Sequence, residues 1–204
     1  MATPGLCFLL LVSTFAYSIS SASAAAATPS SSSSAAAANF IKASCSATSY
    51  PAVCVQSLSA YANTVKLSRK ELAQAALTVT LAKAQATRDF VTRSTKLKGL
   101  KAREYEAVKD CLEEMGDTVD RLSKSMKELK GMGSQSKAQD FQWHVSNVET
   151  WVSAALTDEN TCMDGFSGKA TEGHLKKSIR TRIVEVAQIT SNALALVNRF
   201  AAKH

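Results

Sequence analysis

Few residues in this chain have the type and spacing to do chemistry. They are His144, His174 and His204, five cysteines, and a loop that reads GFSGKAT at 165–171. A hydrolytic enzyme needs a nucleophile with a base to activate it. No serine stands in a G-x-S-x-G turn, and no pair of carboxylates is joined to a pocket motif. The loop fails as a phosphate-binding loop at both ends: its first glycine would fall at 163, which is Met, and Ala170 replaces the Ser or Thr that would hold magnesium. A zinc site would need cysteines in C-x2-C spacing or paired histidines, and neither occurs. The three scattered histidines read as solvated or hydrogen-bonded side chains. No catalytic residue, metal or cofactor is therefore expected, and the chain does not read as an enzyme.

The cysteines point to a structural role instead. Residues 1–24 contain the apolar run GLCFLLLVSTFAYSI and then small residues, with Ala22-Ser23-Ala24 as a cleavage site, although no Lys or Arg precedes the run. This is a secretory signal peptide in form, and the run is shorter than the roughly 20 apolar residues of a membrane span. After its removal no membrane association is expected. Residues 25–38, AAATPSSSSSAAAA, have nothing large to bury and read as a flexible leader. The folded domain then covers 39–204, with a helical hairpin at 39–62 and a helical bundle at 63–204. Cys7 leaves with the signal, so Cys45, Cys54, Cys111 and Cys162 remain. An even number in a secreted chain implies two disulfides. Three pairings are open; joining the neighbours Cys45 and Cys54 across the turn Ser49-Tyr50-Pro51 is the simplest, and leaves Cys111 with Cys162.

Helical spacing recurs four times, so the fold class is all-α. A first helix opens with Ser68-x-x-Glu71, a capping box, and places Leu72, Ala76, Val79, Ala86 and Phe90 on one face. In a second, Tyr105, Val108, Leu112, Met115, Val119, Leu122, Met126 and Leu129 alternate in steps of three and four, the seam of a left-handed bundle, and Gly131 and Gly133 end it. A third covers about 136–157, with Phe141, Val145, Val148, Val152 and Ala155 inward and Cys162 just past its end. A fourth covers about 172–202, with Leu175, Ile179, Ile183, Val186, Ala193, Val197 and Phe200 inward. Long amphipathic helices with short connections predict an up-down-up-down four-helix bundle.

The net charge of +7 lies wholly in the mature domain, since every charged residue falls at or after Lys42. It is segregated. Glu106, Asp110, Glu113, Asp117 and Asp120 recur in steps of four and three, opposite the apolar seam of their helix. Lys169, Lys176, Lys177, Arg180 and Arg182 cluster at a helix N-terminus, where the helix dipole disfavours cations. Both can be solvated faces. As docking faces, the acidic stripe suits a basic partner and the basic cluster a polyanion or an acidic rim. The compartment excludes nucleic acid. Trp151 falls among core positions, and Trp143 falls off the seam as a candidate anchor for a partner.

Together these pieces resemble the plant invertase/pectin methylesterase inhibitor family over about residues 39–202. The resemblance is carried by FIKASCSATSYPAVCVQSLS, AVKDCLEEMGDTVDRLSKSM, VETWVSAALTDENTCMDGF and SNALALVNRF, with four cysteines in this order. It implies a four-helix bundle preceded by a helical hairpin, with Cys45 joined to Cys54 and Cys111 to Cys162. It implies non-covalent, stoichiometric inhibition of pectin methylesterase by a bundle laid across the substrate cleft, or, alternatively, of acid invertase. The Pro-Lys-Phe motif of the invertase inhibitors is absent: Lys137 and Phe141 stand apart within GSQSKAQDFQWHV. Carried onto this chain, the outward faces of the second and third helices become the docking surface, with Glu106, Asp110, Glu113, Asp117, Asp120 and Trp143. Apoplastic secretion, a monomeric free state and weak association with anionic pectin complete the expectation. A lipid carrier would need a cavity, against which the filled seam argues, and a signalling ligand would leave both enzymes untouched.

Overall fold

A computed structural model describes Met1 and residues 29–132, 138–167 and 173–202. The expected signal peptide and the first residues of the leader lie outside the described residues. Helix α1 (Pro29–Cys45) is followed by α2 (Pro51–Leu58), a 3-10 turn (Ser59–Tyr61) and the short α3 (Ala62–Val65). The four long helices come next: α4 (Arg69–Ser94), α5 (Ala102–Gly131), α6 (Ala138–Gly165) and α7 (His174–Ala201). Among the described residues there is no strand.

Side-chain pairings fix the bundle's directions. Between α4 and α5, Gln74 Nε2 donates to the Leu129 carbonyl at 3.3 Å and the Lys70 ammonium to that of Met132, so one number rises as the other falls. The same inverse register links α5 to α6, through Cys111–Cys162 and Arg121–Asp158, and α7 to α4, through Lys83–Glu185 and the bond from Arg69 Nη1 to the Arg199 carbonyl. Glu159–Thr190 and Phe141–Phe200 do this for α6 and α7. Each helix is antiparallel to its two neighbours, and the order around the ring is α4, α5, α6, α7, which is the up-down-up-down bundle expected. On α5, Val108, Met115, Leu122 and Leu129 are fully buried, as the seam requires. Tyr105 is not: at the first turn of α5 it extends past the core and is 43% exposed.

Four expectations need correction. The Ser68–Glu71 box is half formed: Ser68 Oγ accepts from the Glu71 N–H at 3.3 Å, but the Ser68 N–H goes to the Val65 carbonyl at 2.9 Å. The tight turn through Lys66 and Leu67, at φ 44° and 59°, brings that carbonyl into reach. Of the row expected inward on α4, Leu72 and Ala76 are buried, Val79 and Phe90 are half-buried, and Ala86 faces solvent; the buried row runs on through Leu77, Thr80, Ala84, Thr87 and Val91. Helix α6 runs on to Gly165, so Cys162 lies inside it rather than beyond its end. Trp151, expected in the core, is half-buried.

The N-terminal hairpin reaches further back than its sequence suggests. Helix α1 takes up the second part of the expected leader, where Ala37 packs at 4% exposure one turn before Ile41. Alanine has the best helix propensity, and a small side chain suffices against α3. The Cys45–Cys54 disulfide closes the hairpin. Asn192 of α7 holds it to the bundle: its Oδ1 accepts from the Tyr50 N–H at 3.0 Å, and its Nδ2 donates to the Tyr50 carbonyl at 2.9 Å. Arg199 Nη1 donates to the Ser44 carbonyl at 2.9 Å. Asn192→Ala is expected to cost about 1–2 kcal/mol, since it frees two backbone groups that water can only partly satisfy. Faster amide exchange confined to residues 46–54 would check this assignment, and unchanged exchange there would refute it.

Candidate docking surfaces

The five acidic residues of α5 stand together on its outer face. Glu106, Asp110, Glu113, Asp117 and Asp120 are all exposed, opposite the buried Val108, Met115 and Leu122. Two are lightly paired along the helix, Glu106 with Lys109 at 4.0 Å and Asp117 with Arg121 at 3.7 Å. Exposed pairs of this kind contribute little stability. Arg121 turns instead towards α6, where its Nε donates to Asp158 Oδ2 at 2.6 Å. Burial chiefly raises the Asp158 carboxyl above the ordinary value, and the Arg121 charge partly offsets this. Half-buried Glu114 is raised for the same first reason, with Asp158, Asp117 and Glu113 adding like charge. The α5 face is therefore a ridge of five carboxylates, with Lys109 paired along it and Arg121 held at its α6 border.

Trp143 is exposed as expected, at 68%, but it does not join that ridge. The pairing of Glu128 with His144 sets the register, so Trp143 stands beside the end of α5. Asp120 lies roughly 15 Å further along the pair at 1.5 Å per residue. Around Trp143 the surface is of another kind. Glu128 Oε1 lies 2.7 Å from His144 Nδ1 and accepts from Asn147 Nδ2 at 3.1 Å, and these bonds hold the Glu128 carboxyl below the ordinary value. Thus the stripe and the indole form two separate candidate contacts on the α5–α6 side.

Phe141 takes no part in a presented motif. It is half-buried and meets Phe200 edge to face, with ring centroids 5.4 Å apart; Lys137 lies outside the described residues. Of the basic cluster, Lys177 and Arg180 are exposed on the outer side of α7, and Lys176 is half-buried. Arg182 is diverted: its guanidinium sits 4.2 Å over the Phe90 ring of α4. Lys169 and His204, like Ala170 in the loop at 165–171, lie outside the described residues. His174 Nδ1 lies 3.4 Å from Ser178 Oγ.

One group missed by sequence reasoning is Glu159. It is wholly buried between α6 and α7, with Oε1 accepting from Thr190 Oγ1 at 2.7 Å and Oε2 unpartnered. Burial pushes its carboxyl up to about 8. A group sealed from solvent meets no substrate, so its protonation bears on the fold and not on a reaction. No cluster of three or more metal-ligating side chains occurs among the described residues, and none of their helices is long and apolar enough to cross a membrane.

The model of the plant invertase/pectin methylesterase inhibitor family matches residues 39–196. The "21 kDa protein" of Daucus carota is 59% identical over 165 residues, which is 81% of this chain and 85% of that one. Pectinesterase inhibitor 11 of Arabidopsis thaliana is 52% identical over 166 residues, covering 81% and 82%. A crystal structure of a mutant form of an Arabidopsis pectin methylesterase inhibitor superposes with a TM-score of 0.60 at 20% identity, over 76% of this chain and 92% of that one, which speaks for the fold. On the family match and these identities, the chain belongs to the plant invertase/pectin methylesterase inhibitor family.

Proposed function

We propose that this protein is a secreted inhibitor of pectin methylesterase, not itself an enzyme, which binds its target non-covalently and occludes the substrate cleft. The observation that carries this reading is the 52% and 53% identity to pectinesterase inhibitors 11 and 9 of Arabidopsis thaliana, over four fifths of each chain. The physics of the surface is consistent with it. Occlusion requires a rigid, preordered face and no catalytic group, and a bundle tied by one disulfide, with a second closing its hairpin, loses little freedom on docking. The α5 stripe would steer the inhibitor to a basic enzyme and fix its register. Trp143 would act as a separate anchor further along the same side. A one-to-one complex needs only a monomer, and secretion into the cell wall follows from the signal-like residues 1–24. Weak association with anionic pectin belongs to the same reading.

The invertase alternative gains nothing from the geometry, because Phe141 is turned towards Phe200 and away from any presented motif. Titration of the oxidised protein against a plant pectin methylesterase and an acid invertase, in parallel, tests the choice: esterase activity should vanish at an equimolar dose and sucrose hydrolysis should persist. The opposite pattern would reverse the assignment. The stripe has its own test. Reversing Asp110, Glu113 and Asp117 to lysine should weaken inhibition by on the order of tenfold to a hundredfold, and most at low salt. Melting should barely move, since these side chains are exposed. Undiminished inhibition by the folded triple variant would take the stripe out of the interface.

A further inference from the structure

The connection between α4 and α5 is the most one-sidedly charged stretch of the chain. Arg93, Lys96, Lys98, Lys101 and Arg103 fall within eleven residues, and no Asp or Glu occurs from 90 to 103. All five are exposed, and among the described residues no ion pair takes up any of them. The nearest acids are otherwise engaged: Asp89 lies 3.6 Å from Arg88, and Glu104 Oε2 accepts from the Lys101 N–H at 3.0 Å. The connection is also well defined. The N–H groups of Thr95, Lys96 and Leu97 bond back to the Val91, Arg93 and Ser94 carbonyls at 3.2 Å, and Gly99 turns the chain at φ 82°. Beside the cations stands Tyr105, the aromatic that left the core. Lys177 and Arg180 stand at the same end of the bundle, because α7 begins where α4 ends.

Cations at the first turn of a helix oppose its dipole, so Lys101 and Arg103 cost the fold something where they stand. Packing does not explain them, since neither side chain is buried. We infer that this tip of the bundle binds a polyuronate, a saccharide chain of closely spaced carboxylates, through Arg93, Lys96, Lys98, Lys101, Arg103 and Tyr105. The cations pair with carboxylates, and the exposed ring stacks on the apolar C–H face of a sugar. An acidic membrane would instead need a larger apolar patch than Leu97 alone, the one other large apolar side chain exposed on this connection. The surface has a boundary: the groove that opens beside Arg103 is lined further along α5 by Glu106 and Asp110, whose like charge keeps a polyanion at the tip and off the acidic stripe. The two charged faces thus serve different partners. On the inhibitor reading, on which this role rests, the protein is retained by the unesterified polymer that its target enzyme produces, with the stripe left free.

Binding is measured on the oxidised protein with unesterified oligogalacturonate, with the fully methyl-esterified form and with acidic phospholipid vesicles. The expected result is binding to the unesterified polymer alone, weakened by salt, and reduced on the order of tenfold or more in K96Q/K98Q/K101Q/R103Q. Inhibition of the esterase on a small soluble ester is followed in the same variant and should be unchanged. Equal binding to the esterified form, binding to vesicles only, no binding, or full binding by the variant each overturns the inference. Loss of the inhibitor reading would appear separately, as absence of inhibition by the parent protein whatever it binds.

Discussion

Replacing Cys111 and Cys162 together by alanine is expected to lower Tm by roughly 8–16 °C. The two residues are 51 apart in sequence, and releasing a loop of that length returns about 4 kcal/mol of conformational freedom to the unfolded chain. A domain of this size shifts by roughly 2–4 °C per kcal/mol. The Cys45–Cys54 loop spans nine residues, so the same entropy relation gives about 2.6 kcal/mol for its removal. The order of the two effects is the discriminating result. Cys111–Cys162 ties α5 to α6, the helices that carry the stripe and Trp143, and it is buried in the core. Its loss should therefore also raise amide exchange along the first turns of α5. Inhibition well below the lowered Tm should persist, because the side chains of the stripe are untouched. Should the short-loop variant melt lower than the long-loop one, the N-terminal hairpin would contribute more than its chain entropy, through the Asn192 clasp and the Arg199–Ser44 bond.

The helices legible in the sequence are those whose inward positions are apolar. On α5 the repeat is nearly unbroken: of the expected seam only Tyr105 stands exposed and Leu112 half-buried, and the five acidic residues lie on the outer face. The misreadings along α4 and α6 share a physical origin, polar side chains at inward positions. On α4, Thr80 and Ser94 return their hydroxyls to the carbonyls four residues back, Ala76 and Phe90, at 2.8 and 2.9 Å. A hydroxyl satisfied in this way packs much as an apolar group does, and a count of apolar residues alone passes over it. On α6 the inward row continues as Val145, Val148, Val152, Ala155, Glu159, Cys162 and Phe166, in steps of three and four. A glutamate in the middle of that row interrupts the apolar repeat, so the spacing predicts a helix ending near 157. The clasp of Asn192 on Tyr50 joins residues 142 apart and leaves no local signal. The basic connection after α4 lies between helices, where periodicity has nothing to report, and only its lack of acids marks it.

Glu159 gives the second large effect, and its sign follows from burial. An unfolded glutamate titrates near 4.5, whereas the folded group, sealed between α6 and α7, is pushed up to about 8. Between those values the folded state binds a proton that the unfolded state has released. Stability is then fully present below about pH 4.5, falls as pH rises, and has lost the whole contribution above about pH 8. Across the window this loss is on the order of 3–5 kcal/mol, or roughly 10 °C in Tm. Asp158 and Glu114, both raised chiefly by burial, add in the same direction. Glu128 opposes them at the acid end: its carboxyl is lowered chiefly by the hydrogen bond with His144, so its contribution fades as pH falls through its folded value. Glu159→Gln keeps the shape and the acceptor for Thr190 Oγ1 and removes the charge. Near pH 5 the variant should match the parent within about 1 kcal/mol, because both side chains are neutral there. Near pH 9 it should be the more stable of the two by several degrees. Melting curves collected from pH 4 to 9 decide the matter: parallel profiles would mean that Glu159 is ionised and accommodated at every pH, whereas converging profiles at the acid end locate the alkaline weakness of the bundle in this one carboxyl. An inhibitor built this way holds its fold most firmly in acidic surroundings, through a buried carboxyl that lies apart from the exposed stripe.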